Sequence, residues 1–327
     1  MRLWVLLALH ACTPKDDTAT EKPFDSGDSA RLACEPVDVD PEPTWEGHPS
    51  DGWRWAKHGA LFEDGEMVGY ADGDLAPTLV EGAHGLHLVF TRQRGLDQDL
   101  WVSTSSDGEI WGPPVAATGL ESGSAGYAGL LYDQGSYRLW YGSGNIVYAI
   151  SADGYAFEAL GATLTTGESG AFDSVSVLYP SPIASDGWLG LAYTGFDGQT
   201  YAMGVVESAD DGQTWERGQY IVERVPDGWD NAAVAQPMVV ERAGTTHVWY
   251  GGYDTSVTDP GPWRVGYSPV LNSDRRVSLP LSETGPDAWS TRDPAVVPWG
   301  DGWLMVYAGM GDDGVYRLMR ATSDVCN

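Results

Sequence analysis

Five times after residue 45 the sequence returns to one pattern, and this repetition constrains the fold more than any other feature. Each unit opens on a short apolar strand: "APTLVEG", "YAGLLYD", "SVSVLYP", "AQPMVVE" and "DPAVVPW". An alternating run follows and ends in an aromatic and small residues: "HLVFTRQ", "YRLWYGSGN", "WLGLAYTGFDG", "THVWYGGYD" and "WLMVYAGMG". A third strand comes next, in "LWVSTSS", "VYAISA", "MGVVES", "RVGYSP" and "VYRLMRA". Alternation with a period of two suits half-buried strands, and no helix-period stretch of useful length follows residue 45. The spacing is regular: Pro77 to Phe90, Ala128 to Tyr141, Pro237 to Tyr250 and Pro294 to Tyr307 are each thirteen positions apart. The third unit is expected to depart, with "PSPIASDG" as a small insertion.

Three units also share a turn, "SSDGEIW" (105–111), "SADGYAF" (151–157) and "SADDGQTW" (208–215). The last resembles the Asp box of β-propellers, in which Asp accepts backbone N–H groups, Gly supplies positive φ and Trp packs between sheets. Asp107, Asp153 and Asp210 are therefore read as structural. Five units of about fifty residues, each a small antiparallel sheet, describe an all-β, five-bladed β-propeller over 45–327. The last unit stops after its third strand at "ATSD", and the missing pieces stand at the other end, where "PSDGWRWAKHGALFE" (49–63) repeats the form of "SADDGQTWERGQYIVE". A strand at about 50–63 is thus expected to pair with the C-terminal blade and close the ring.

Residues 1–11 read as a compact secretory signal, because the apolar run from Leu3 to Ala11 is too short to span a bilayer. It ends in Leu9-His10-Ala11-Cys12, which resembles the bacterial lipoprotein box, with His10 as a departure. The resemblance implies that Cys12 is lipidated and that the chain is anchored at the bacterial cell envelope; Thr13 after it fits the outer membrane. The alternative is an ordinary signal peptide. Residues 12–44 are polar and acidic with almost no aromatics, which describes a flexible tether. In an exported protein the remaining pair, Cys34 and Cys326, reads as a disulfide across the seam of the ring, with two free thiols as the alternative. A formal charge of -29 argues against nucleic acid, which needs a Lys/Arg footprint. A monomer is expected.

In a propeller the inner strands run beside the axis, and their starts open into a funnel. The acids at those starts are Asp72 and Asp74, then Asp173, Asp230 and Asp293, with none in the second unit. Like charges gathered in a partly dry funnel push their pKa values apart, which prepares acid and base roles. Around "STRDPAVVPWGDGWLMVYAGMG" the sequence resembles the five-bladed glycoside hydrolases of the arabinanase, xylosidase and invertase type, and the repeat architecture carries that resemblance over about 45–327. It implies that Asp293, in the Arg-Asp-Pro triplet, positions sugar hydroxyls or stabilises an oxocarbenium-like transition state, with Arg292 orienting it. Asp173, Asp74 and Asp230 are the other catalytic candidates, and Gln236, Trp229 and Trp289 join Arg292 as substrate-binding candidates.

Two departures stand beside this. Gln236 occupies the place where the superfamily has a catalytic Glu, and Ala76 stands where the first unit would match Asp293. Glu168 and Glu283, in approach loops, are the substitutes on offer. The expected function is hydrolysis of glycosidic bonds by axial carboxylates; the alternative is a glycan- or protein-binding propeller without catalysis. A carbohydrate ligand or substrate is the expected partner.

Most of the 15 tryptophans and 16 tyrosines are assigned to blade packing, with Trp229, Trp263 and Trp289 in loops as sugar platforms. A sialidase would want six blades, inward arginines and a Tyr nucleophile, and no Phe-Arg-Ile-Pro signature occurs. His84 and His87 fall on opposite faces of a strand and no Cys/His set exists, so no metal site is assigned. The family resemblance leaves open a structural Ca²⁺ on the central axis. No phosphate loop, dinucleotide fingerprint or Gly-x-Ser-x-Gly elbow occurs.

Overall fold

A computed structural model describes residues 54–62, 72–120, 126–185, 188–212, 214–222, 224–225, 227–254, 262–268 and 275–324. All of them lie in one unit of dense contacts, 43–327. Cys12, Cys34 and Cys326, the signal and the tether fall outside the described residues.

Among the described residues every regular element is a strand. β1 (Arg54–Ala60) precedes the repeats. The first sheet is β2 (Gly73–Gly82), β3 (Gly85–Arg94), β4 (Asp97–Ser105) and the short β5 (Val115–Ala116), each antiparallel to the last. The second is β6 (Ala128–Asp133), β7 (Ser136–Tyr141), β8 (Ile146–Ser151) and β9 (Glu158–Leu164). The third is β10 (Ser176–Ser185), β11 (Trp188–Phe196), β12 (Tyr201–Ser208) and β13 (Glu216–Val222). The fourth is β14 (Ala233–Arg242), β15 (Thr245–Tyr253), β16 (Arg264–Ser268) and β17 (Arg276–Leu279). The last is β18 (Ser290–Trp299), β19 (Gly302–Met310) and β20 (Tyr316–Asp324), with β1 as its fourth strand. β1 runs antiparallel to β20 from Arg54 opposite Asp324 to Ala60 opposite Met319, so the strand expected near 50–63 is found and so is its partner. A single parallel contact, Gly73 beside Tyr316, joins the first and last sheets. Only glycine fits there: a Cβ would lie 2.0 Å from the Tyr316 carbonyl oxygen, and φ is +134°.

The first strands neighbour one another in order, β2 beside β6, β6 beside β10, β10 beside β14, β14 beside β18, and β18 beside β2. Apolar side chains fill the space between facing sheets. Val89, Val102, Leu130 and Leu139 pack between the first and second; Trp140, Ile146, Val177 and Leu191 pack between the second and third. Trp249, Val265, Trp303 and Met305 pack between the fourth and last. Trp140, Trp249, Trp303, Tyr141, Tyr193, Tyr250 and Tyr307 are fully buried, which assigns these aromatics to packing, as the alternation implied.

The turns after the third strands of the first three sheets are built by their aspartates. Asp107 Oδ1 accepts the Glu109 and Ile110 N–H groups, both at 2.9 Å, and Asp153 Oδ1 does the same for Tyr155 and Ala156. Asp210 accepts the Thr214 N–H at 2.8 Å and the Thr214 hydroxyl at 2.6 Å. Ser105, Ser151 and Ser208 donate to Asp107, Asp153 and Asp210 respectively.

One expectation is corrected. The third unit has no insertion: β10 is ten residues long, like β2, β14 and β18, and Pro180 lies thirteen positions before Tyr193. The paired prolines, Pro180 and Pro182, obscured the match.

Candidate binding site on the inner strands

Four inner strands carry the same local distortion. Register with the second strand shifts between Leu75 and Thr78, Leu178 and Ser181, Ala235 and Met238, and Arg292 and Ala295. At each shift sits a non-glycine residue with left-handed backbone, followed by proline: Ala76 (φ 48°), Tyr179 (49°), Gln236 (60°) and Asp293 (52°). Tyr127 (53°) holds the equivalent place just ahead of β6, where Ala128 replaces the proline. A bulge re-aims the side chain it carries, and this conformation costs an L-residue about 1–2 kcal/mol. Such outliers persist where the surroundings hold them and cluster at functional sites. Ala76, Tyr179, Gln236 and Asp293 line one small cavity with their prolines, Thr78 and Ser181.

Asp293 is the acid of that set. Its Oδ2 accepts the Ala76 N–H at 3.1 Å, its Oδ1 accepts Arg292 Nε at 3.1 Å, and its own N–H donates to Gln236 Oε1 at 3.1 Å. Burial pushes its carboxyl up, against the Arg292 charge and the two hydrogen bonds. Gln236 therefore spends its acceptor on the Asp293 backbone, and its Nε2 is buried without a hydrogen-bond partner.

Arg292 is framed by aromatics. Nη2 donates to the Tyr179 hydroxyl at 2.7 Å and Nη1 to the Tyr316 hydroxyl at 3.4 Å, and the guanidinium lies 5.0 Å from the Trp263 ring centre. The Tyr127 and Tyr179 rings stack at 3.9 Å. Burial works against the Arg292 charge, but Asp293 and the surrounding phenols outweigh it and hold the guanidinium above its ordinary value. The Arg292 side chain is 13% exposed and Tyr127, Tyr179 and Trp289 are partly buried, so this cluster opens narrowly to solvent, while Asp293 behind it is 3% exposed. Ring faces and a fixed guanidinium at a surface can bind a polar ligand with an apolar face.

The cavity beneath has a volume of about 40 Å³, room for a few waters. It does not suit the Ca²⁺ that the resemblance left open. Both Asp293 oxygens and the Gln236 oxygen are already engaged, and no cluster of three metal-ligating side chains occurs among the described residues.

The other candidates lie elsewhere. Asp173 and Asp230 do not join Asp293. Each is wholly buried, accepts a tyrosine hydroxyl twenty positions on (Tyr193 and Tyr250, both at 2.9 Å) and pairs with an arginine (Arg217 at 3.0 Å and Arg275 at 2.9 Å). Asp287 repeats the arrangement with Tyr307 at 2.7 Å and Lys57 of β1 at 2.7 Å. Each set ties the approach to an inner strand to the outer part of its own sheet. Asp173, Asp230 and Asp287 sit six positions before Tyr179, Gln236 and Asp293, so the first two correspond to Asp287 and not to Asp293. Asp74 is held by two bonds from Arg92, at 2.7 and 2.8 Å, and Asp72 accepts the Gly95 N–H. Trp229 is 2% exposed and stacked on Tyr250 over Gly252 and Gly266, which makes it packing and not a platform. Trp263 backs Arg292, and Trp289 packs against the cluster of Leu75, Ala76, Ala308, Met310 and Tyr316. Glu168 and Glu283 are exposed, outside the cavity lining. His87 is buried and bonded to the Gly154 carbonyl, away from exposed His84. Tyr127 and Tyr179 escaped notice in the sequence, although counting from Asp293 by repeat position reaches both.

The fold is that of the β-propeller glycoside hydrolases. In particular, a Podospora anserina α-L-arabinofuranosidase solved with cellotriose superposes with a TM-score of 0.60 and 12% identity, over 84% of this chain and 98% of that one. The β-1,2-mannobiose phosphorylase of Listeria innocua gives 0.60 and 11% identity, over 82% and 96%. A Bombyx mori GH32 β-fructofuranosidase gives 0.59 and 13% identity over 81% of this chain, which spans 61% of that enzyme's length. No protein-family profile matches the chain, and no curated protein matches its sequence.

Proposed function

We propose that this chain is a carbohydrate-binding propeller of the bacterial cell envelope that holds a glycan at the Arg292 cluster without cleaving it. One observation carries the reading: of the five equivalent inner positions, Ala76, Tyr127, Tyr179, Gln236 and Asp293, only one is an acid, and both its oxygens are engaged. Glycoside hydrolysis uses two carboxyl groups about 5–10 Å apart around the bond to be cut. The cavity of about 40 Å³ beside Asp293 holds no sugar ring, whereas Tyr127 and Arg292 outside it, with Tyr179 at its lining, offer a stacking and hydrogen-bonding surface. Solved neighbours named for glycan-active enzymes support a carbohydrate as the ligand.

The same proposal takes the five sheets as five blades of a ring. The cyclic order of the first strands supports this, as does β1 completing the last sheet. Lipidation at Cys12, a Cys34–Cys326 disulfide, a monomeric state and an outer-membrane position belong to the proposal through the sequence alone. The enzymatic reading rests on Asp293, whose carboxyl burial pushes up, the direction a general acid needs. Incubating the protein with a panel of neutral oligosaccharides, and measuring both binding and new reducing ends, decides between them. Binding without product, weakened by Arg292→Gln, is the expected result. Turnover that Asp293→Asn abolishes refutes the non-catalytic reading.

A further inference from the structure

We propose a second saccharide-binding site, in the cleft between the second and third sheets. The cleft measures about 580 Å³, within the roughly 300–1,000 Å³ common for ligand sites, and shares no lining residue with the cavity at Asp293. One wall is Trp188, half-buried, whose indole lies against β11 at Gly190: a Cβ there would come within 2.3 Å of the ring. The other wall is Asp133, Gln134 and Arg138, with Asp211 between.

Arg138 is fixed before any ligand arrives. Nε donates to the Tyr148 hydroxyl at 3.0 Å, Nη1 to Asp211 Oδ1 at 2.8 Å and Nη2 to the Asp211 carbonyl at 2.6 Å. A guanidinium has five N–H groups; three are used here, and the side chain is 8% exposed with Asp133 Oδ2 3.8 Å from Nη1, so Arg138 offers a ligand only a narrow edge. The Asp133 and Asp211 side chains are 42% and 74% exposed, which keeps carboxylate oxygens available as acceptors. A pyranose has a C–H face and a rim of hydroxyls. Its face matches the indole, and its hydroxyls can accept from Arg138 and donate to Asp133 and Asp211. Two carboxylates against one guanidinium disfavour an acidic sugar, so the ligand class is a neutral saccharide. Ala184, in this cleft, lies five residues along β10 from Tyr179, about 17 Å of extended strand, so the two sites fill independently.

The test is fluorine NMR of protein labelled with 5-fluorotryptophan, with the Trp188 resonance assigned by its loss in Trp188→Phe. Maltotriose, cellotriose, xylotriose and mannotriose are the probes. At least one is expected to shift the Trp188 resonance saturably, and Asp133→Ala should weaken that titration about tenfold, the loss of one charge-assisted hydrogen bond. Arg292→Gln should leave it unchanged. A Trp188 resonance that none of the four moves overturns the proposal, as does a titration indifferent to Asp133→Ala or lost in Arg292→Gln.

Discussion

The three acid–tyrosine–cation sets are a graded experiment in burial. Their aspartates are alike, with side chains at most 3% exposed, but the cations are not: Arg275 is 7% exposed, Lys57 21% and Arg217 38%. Replacing each cation by Met removes the charge and keeps most of the apolar stem. Arg275→Met strands Asp230, whose Oδ1 already lacks a partner, and breaking a buried pair from one side costs about 3–5 kcal/mol. Lys57→Met leaves Asp287 with the Tyr307 hydroxyl and admits water from one side, so about 2 kcal/mol is expected, between the buried and exposed cases. Arg217 is exposed enough that water takes its place, and its loss should cost no more than about 1 kcal/mol. Urea titration gives the three free energies, and thermal melts should fall by roughly 2–4 °C per kcal/mol. Equal costs, or an Arg217→Met variant worse than Arg275→Met, would refute the claim that desolvation sets the value of these pairs.

Other outcomes follow from single contacts. Burial pushes His87 and His247 below the ordinary imidazole value, so the folded state binds fewer protons than the unfolded chain. Their contribution is full above about pH 6.5 and is lost as pH falls through that value toward the folded pKa, so urea midpoints should drop on acidification, less so in His87→Gln. Gly154→Ala puts a Cβ 2.4 Å from His87 at a φ of +77° and should cost about 2 kcal/mol or more in the same titration. Gln236→Glu buries a second carboxyl beside Asp293. It should cost about 2–4 kcal/mol at neutral pH, with the loss relieved near pH 4 as the acid protonates; a pH-independent cost would contradict the placement.

Much of this architecture was legible because strands impose a period on the chain. The thirteen-residue spacing to an aromatic located four of the inner strands, and the incomplete last unit pointed to β1. The site was less legible, because an aspartate before a strand has two uses that look alike in one dimension. Asp293 sits on the bulge; Asp173 and Asp230 sit six residues earlier, where the chain needs a buried acceptor for Tyr193 and Tyr250. The interval of twenty residues from Asp to Tyr, met three times, separates the two uses, but its meaning depends on cations supplied from other strands. Trp229 misled for a similar reason: only in three dimensions do Gly252 and Gly266 make room for its ring.

The pairing of β1 with β20 has a consequence for the life of the chain before it is folded. The two strands lie some 260 residues apart, with Arg54 opposite Asp324, so the segment synthesised early must wait for the one synthesised late. Until they meet, β20 offers an open edge of unpaired backbone, the kind of surface that recruits stray strands and proteases. Truncation before β20 leaves β1 without its partner, while proteolytic loss of β1 leaves β20 exposed. The last sheet thus works as a check on completeness: its four strands come together only when both ends of the folded region are present.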